Sequence, residues 1–189
     1  MSGAGNDFVL LDNRQRKIAL KPAQVARLCD RHRGIGADGL MLLISCASGK
    51  ADWAWDFYNS DGSRAEMCGN GARCFARFIQ KLTSAKNQTT FETIAGVITA
   101  AFQENRVTVN LTPPKDLCLD QKVFVSAGTL RVHSLNTGVP HAVVFVPDAD
   151  KALVLPIGAQ VRYHDVFAPQ GTNVNFVQVL APNAIRVRT

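Results

Sequence analysis

Residues 66–74 read EMCGNGARC, in which Cys68 and Cys74 flank a Gly-Asn-Gly-Ala-Arg core. A turn-forming NSDGS stretch precedes them at 59–63, and an apolar run studded with Arg follows. A helix starting at about 69–72 would aim its unpaired N–H groups and positive dipole end at the Cys68 sulfur, which favours negative charge there and suits proton transfer. Gly69 and Gly71 would let a small ligand approach those N–H groups, and a carboxylate is the guest such a helix end attracts. Asn59 and Asn70 can each donate and accept, which matches an amino acid carrying ammonium and carboxylate together. A free cysteine is also among the most often buried residue types, so a small core residue fits Cys68 as well as a reactive thiol does. Cys74, beside Phe75 and Phe78, is expected in the core.

Other chemistry-bearing residues are less distinctive. His141 follows Pro140 in a glycine-rich turn, where it could poise a proton transfer or bond a backbone group. His32 and His133 read as surface or helix-end residues, and His164, next to Asp165, as a turn stabiliser. The five cysteines, Cys29, Cys46, Cys68, Cys74 and Cys118, are odd in number and widely spaced, which argues against a disulfide framework. Cys68 and Cys74 are separated by five residues, too far for a zinc-type pair, so no metal site is expected. Gly34 and Gly36 lack the Lys-Ser/Thr of a phosphate loop and the last glycine of a dinucleotide fingerprint, so nucleotide binding is discounted.

These residues need elements to hold them. With 189 residues, 47% hydrophobic and 19% charged, the chain can bury a substantial core and is not a disordered segment. No stretch approaches the roughly 20 apolar residues of a membrane span, and the start lacks a charged segment leading into an apolar core and cleavage site. A cytoplasmic location without a membrane partner is therefore expected. The net charge is +6, but the basic residues are scattered and offer nucleic acid no stripe to follow. A small molecule is the expected partner.

A strand is predicted over 8–11 and a helix over KPAQVARLCDRHRG (21–34), with Val25, Leu28 and Cys29 on one face and Gly34 as its stop. Strands follow in GLMLLISC and ADWAWDFYN, then the helix after Cys68 to about Leu82. Two or three short strands over 89–114 are broken at Gly96 and at Glu104 and Asn105. The consecutive Pro113 and Pro114 cannot continue a central strand and mark a boundary, giving domains 1–112 and 113–189. KVFVSAGTLRVHSLNTG, HAVVFVPD, GAQVRYH and TNVNFVQVL then read as short strands, with almost no helix in this half.

The halves also resemble each other. SGAGNDFVLLD matches NTGVPHAVVFVPD, and GIGADGLMLL matches QGTNVNFVQV, both at an offset of roughly 135 positions. The same offset applied to Cys68 falls past Thr189, so the second half is expected to stop before its own version of the opening motif.

NSDGSRAEMCGNGARC resembles the signature of diaminopimelate epimerases, cofactor-independent enzymes that interconvert L,L- and meso-diaminopimelate for lysine and peptidoglycan synthesis. GAGNDFVLLD, RHRGIGADGLMLL, ETIAGVITA, GVPHAVVFV and YHDVFAPQGTNVNFV are similar to that family's segments in the same order, so the likeness spans the chain. Proline racemases, with His where this chain has Asn70, and phenazine-synthesis isomerases, without the cysteine motif, fit less well. The resemblance implies an α/β (α+β) fold of two pseudo-symmetric domains, each a curved mixed sheet wrapped around a central helix, with substrate between them at two helix N-termini. The second domain would be incomplete, lacking its cysteine helix. It implies a two-base reaction without cofactor, in which one cysteine removes the Cα proton while a second delivers one to the other face. Cys68 would be the first-domain base and His141 would tune the pair. Asn6, Asn59, Gly69, Asn70 and Asn173 would contact substrate. Gly39 stands where some members have a substrate-binding Gln, and Val139 where an Asn usually precedes Pro-His. The ERG and ACGTG segments that carry the family's second cysteine are not among the 189 residues, which implies a chain truncated before it. Self-association as a homodimer is the one protein partnership left open.

Overall fold

The structure is a computed structural model describing residues 1–189. Its contacts divide the chain into two units, Met1–Thr112 and Pro113–Thr189.

In the first unit, β1 (Ser2–Gly3) turns back antiparallel onto β2 (Asn6–Asp12). Helix α1 (Pro22–Cys29) then crosses to β3 (Gly39–Ser45), which pairs parallel with β2, and β4 (Trp53–Asn59) returns antiparallel to β3. Helix α2 (Gly69–Thr83) leads to β5 (Gln88–Thr93), parallel to β4, and to β6 (Gly96–Gln103) and β7 (Arg106–Asn110) in an antiparallel meander. All seven strands form one sheet in sequence order.

β3 is apolar almost throughout because both its faces are covered, and such strands read as continuous hydrophobic runs. Leu40, Leu42 and Ile44 pack with Val25 and Cys29 of α1. Met41 lies under Gly71 of α2. Helix α2 packs against β1, β2, β3, β5, β6 and β7, so the sheet curls around it. Phe75 anchors the contact, with ring centroids 5.4 Å from Trp55 and 5.1 Å from Phe91. The helix ends where Ser84 takes a left-handed conformation and donates its N–H to Gln80 O.

α1 stops at Cys29, short of the expected Gly34. The Asp30 carboxylate takes the N–H groups of His32 and Arg33 at 2.8 Å each, offering the backbone a local alternative to the helix.

The second unit is a five-stranded sheet of order β12-β11-β10-β9-β8, built from β8 (Lys115–Val125), β9 (Gly128–Asn136), β10 (Pro140–Phe145), β11 (Asn173–Ala181) and β12 (Ala184–Arg188). Helix α3 (Val154–Arg162) and a 3₁₀ turn (Asp165–Phe167) lie between β10 and β11. Ile157 and Val161 of α3 join Val123, Val132, Ala142, Val144, Val174 and Phe176 in its core. The expected strand GAQVRYH is thus corrected to the second half of α3 and its exit. Ile157 and Val161, four apart on one helix face, meet the sheet, and a seven-residue window was too short to reveal that period.

α3 also makes the internal repeat plain. β2-α1-β3-β4 and β10-α3-β11-β12 share element order, a parallel pair across the helix and an antiparallel return strand. The offset of roughly 135 carries α1 onto α3. No helix is long and apolar enough to cross a membrane.

Candidate active site

Cys68 is where extended chain turns into α2, with φ −148° and ψ 116°. Its Sγ accepts the Gly71 N–H at 3.4 Å, and its carbonyl accepts the Ala72 N–H at 2.8 Å. The sulfur therefore occupies the place of a capping oxygen. Gly69 and Asn70 are the first helical residues, and their N–H groups have no acceptor within the helix.

The two glycines of CGNG serve different ends. A Cβ on Gly69 would meet nothing nearer than Leu111 Cδ1 at 3.9 Å. A Cβ on Gly71 would lie 2.3 Å from Met41 Cε and 3.3 Å from the Phe8 ring. Gly69 leaves the helix end open to a ligand, whereas Gly71 lets α2 settle on β2 and β3. The expectation that both glycines admit a ligand is corrected for Gly71.

Asn70 Nδ2 donates to Asn6 Oδ1 at 2.8 Å, joining residues 64 positions apart. Asn6 Nδ2 donates in turn to Asp38 Oδ2 at 3.2 Å. Asp38 Oδ2 also accepts the Asp7 N–H at 2.9 Å, and its Oδ1 accepts Arg31 Nη2 at 2.9 Å. The Asp7 N–H foremost, with the Asn6 amide and the Arg31 guanidinium, holds the Asp38 carboxyl below the usual carboxylate range. At the other end of the chain, Arg73 Nη2 donates to Asn70 Oδ1.

Asn59 ends β4 opposite Gly39, which stands opposite Phe8 of β2. Asn6, Gly39 and Asn59 thus mark the same end of three adjacent strands, the end over which the first turn of α2 sits. Asn59 is exposed and donates through Nδ2 to Ser63 Oγ at 3.0 Å, closing the 59–63 turn. A cavity of about 780 Å³ at the opposite end of β2, lined by Asp12, Arg14, Lys17 and Trp53, contains none of these residues.

Among the other first-unit cysteines, Cys74 neighbours Cys68 and Arg73, and Cys29 neighbours Asp38. Cys74 is 4% exposed, and burial pushes its thiol up, as it does for Cys29. Cys46 lies beside Ser48 and Glu92, and Cys118 is exposed on β8.

In the second unit, His141 and Asn173 are register partners at the start of parallel β10 and β11. Asn175 Nδ2 lies 3.2 Å from His141 Nδ1 and 3.2 Å from the Ala142 carbonyl. The carbonyl can only accept, so this atom is the amide nitrogen, His141 Nδ1 is an acceptor, and the neutral ring carries its proton on Nε2. Burial lowers the His141 pKa below its ordinary value, which favours that neutral form. Asn173 Oδ1 accepts from Arg162 Nη1 at 3.3 Å. His32 is exposed beyond α1. His133 lies half-buried within β9, its Nδ1 accepting the Asp120 N–H and its ring edge-on to Phe145. His164 caps the 3₁₀ turn by accepting the Val166 N–H.

Asp38, Arg31, Arg73 and Asn175 were not singled out in the sequence. Asn175 was within reach, since it lies two residues beyond Asn173 and so on the same strand face. Asp38 required the β2–β3 register, which sets it beside Asp7.

The fold is shared with solved structures of a hydroxyproline epimerase from Agrobacterium vitis (TM-score 0.64, 18% identity, 86% of this chain and 56% of that one) and a phenazine biosynthesis protein from Bacillus anthracis (TM-score 0.60, 14% identity, 100% and 67%). The chain thus spans little more than half the length of the first of these. The family model for diaminopimelate epimerase matches residues 1–117 and 133–189. Diaminopimelate epimerases from Aquifex aeolicus (43% identity, 100% of this chain, 71% of the relative) and Hydrogenobaculum sp. (42%, 99% and 72%) are similar across essentially the whole chain. The chain belongs to the diaminopimelate epimerase family, a family of isomerases.

Proposed function

We propose that the protein interconverts L,L- and meso-diaminopimelate, a step toward lysine and peptidoglycan, with Cys68 as one of two acid–base groups at the substrate's α-carbon. The observation that supports this most is the placement of Cys68 at the N-terminus of α2, where its Sγ accepts the Gly71 N–H and the next two residues open the helix with Asn70 bonded to Asn6. A Cα–H is a very weak acid, so its carbanion needs preorganised donors. The α-carboxylate takes the helix-end N–H groups, and the side chains of Asn6, Asn59 and Asn70 orient the amino acid. Cys68 then takes the Cα proton, leaving the electron pair delocalised into the carboxylate. The second acid–base group, in its protonated form, then gives its proton to the opposite face, which yields the epimer.

In the second unit we assign substrate contact to Asn173 and tuning of proton transfer to His141, whose ring is fixed by Asn175. Cys29 and Cys74 are buried with their thiols pushed up, and Cys46 bonds to Ser48 and Glu92, so none of these first-unit cysteines is assigned as the second base. That observation favours one further reading, in which the 189 residues bind the amino acid without inverting it.

Incubating the protein with L,L-diaminopimelate and resolving the isomers by chiral chromatography separates the two. Appearance of the meso isomer supports the epimerase, calorimetric binding without it supports the binding reading, and neither refutes both.

A further inference from the structure

The substrate-binding asparagines sit inside a chain of polar groups whose ends have fixed character. Asp38, as a carboxylate, can only accept hydrogen bonds, and the Arg73 guanidinium can only donate. Between them run Asn6 and Asn70, linked Asp38 Oδ2 to Asn6 Nδ2 at 3.2 Å and Asn6 Oδ1 to Asn70 Nδ2 at 2.8 Å, with Asn70 Oδ1 facing Arg73. Turning the Asn6 amide over would set its oxygen against the Asp38 carboxylate. Turning Asn70 would set its NH₂ against the guanidinium. One orientation of each amide therefore satisfies all three contacts, and the opposite charges at the ends select it.

From this geometry we propose that Asp38 and Arg73 are positioning residues that fix the amide orientations of Asn6 and Asn70 at the N-terminus of α2. The proposal rests on the reading of Asn6 and Asn70 as substrate contacts. Asp38 is itself held by the Asp7 N–H and Arg31 Nη2, each at 2.9 Å. Arg31 Nη1 also reaches Asp7 Oδ2 at 3.2 Å, so the start of β2 and the turn into β3 are tied to one guanidinium. Each amide keeps a second N–H beyond the one it spends in the chain, and an oriented donor at the N-terminus of α2 is what an amino-acid carboxylate requires.

Asp38→Asn tests the argument at nearly constant volume. Asp38 accepts on both oxygens, so in any rotamer an asparagine there opposes an N–H either to Arg31 or to Asn6 and Asp7. The readout is the side-chain amide signals of Asn6 and Asn70 in ¹H–¹⁵N spectra of the 189-residue chain, with the α2 backbone signals as the control for folding. The Asn70 signals should move in Asp38→Asn and in Asp38→Ala, although Asp38 does not touch Asn70, and Asp38→Glu should partly restore them. Arg73→Met should move the Asn6 signals by the same logic, and it decides the matter should the Asp38 variants lose the backbone pattern. Moved signals together with a rise of roughly tenfold in KM for diaminopimelate, and a smaller change in kcat, support the proposal. Stationary Asn70 and Asn6 signals in a folded background, or moved signals with unchanged KM, overturn it. Moved signals in a chain whose wild type neither binds nor converts diaminopimelate leave the positioning intact and defeat the proposed function instead.

Discussion

Gly71→Ala sets two known effects against each other at one atom. In a helix interior, alanine is favoured over glycine by about 1 kcal/mol, so α2 taken alone would gain. The added methyl, however, would lie 2.3 Å from Met41 Cε and 3.3 Å from the Phe8 ring, and these residues are 0% and 5% exposed. Met41 Cε is the far end of a flexible side chain, but Met41 and Phe8 are both buried, and unless Met41 repacks, overpacking of this kind costs about 1–3 kcal/mol. The helical gain is common to Gly69→Ala, so Gly71→Ala should be less stable than that variant by the overpacking cost, about 1–3 kcal/mol. Gly69→Ala, two residues earlier with nothing nearer than 3.9 Å, meets no such opposition and should be neutral or slightly stabilising. Both tryptophans, Trp53 and Trp55, lie in β4, so urea unfolding followed by their fluorescence reports on the first unit. A difference of about 2 kcal/mol corresponds to roughly 1 M in the urea midpoint. If Gly71→Ala proved as stable as Gly69→Ala, the packing of α2 on β2 and β3 described above would be wrong.

Three further outcomes follow from the structure. The His141 pKa is lowered on folding, so the unfolded chain binds the extra proton and the second unit should lose stability as pH falls below about 6.5 toward the folded pKa. An NMR titration placing the His141 transition at or above that value would contradict this. In the native chain, a thiol reagent followed by mass spectrometry should modify Cys118, Cys46 and Cys68 well before the buried Cys29 and Cys74, and early modification of Cys74 would refute its burial. Trp55→Phe should cost less than the roughly 3–5 kcal/mol typical of truncating a large core aromatic to alanine, because it also removes a buried indole N–H that has no acceptor. A full loss of that size in a thermal or urea melt would argue that the N–H is satisfied.

The sequence made the first unit legible where pattern and punctuation agreed. The strands predicted over 8–11 and in ADWAWDFYN and the helix predicted after Cys68 each match the element observed. It misread α3, because the GAQVRYH stretch is too short for its period to separate helix from strand. The repeat held the missing signal, since carrying α1 forward by roughly 135 positions lands on α3. The same limit applies at the site. Cys68, Asn6 and Asn70 are conspicuous as residue types, but the ordering of Asp38, Asn6, Asn70 and Arg73 into one hydrogen-bonded line depends on strand register and on where α2 rests, and these are tertiary facts. Likewise, Gly69 and Gly71 look alike in CGNG and only the packing beneath α2 tells them apart.

The most direct test of Cys68 needs only one acid–base group. In D₂O, a thiolate that removes the Cα proton becomes a thiol, exchanges that proton with solvent and returns deuterium, whether or not the centre inverts. Mass spectrometry of diaminopimelate after incubation in D₂O should show deuterium at the α-carbon with the wild-type protein and with Cys74→Ala, and none above background with Cys68→Ala. Undiminished incorporation by Cys68→Ala would contradict the account.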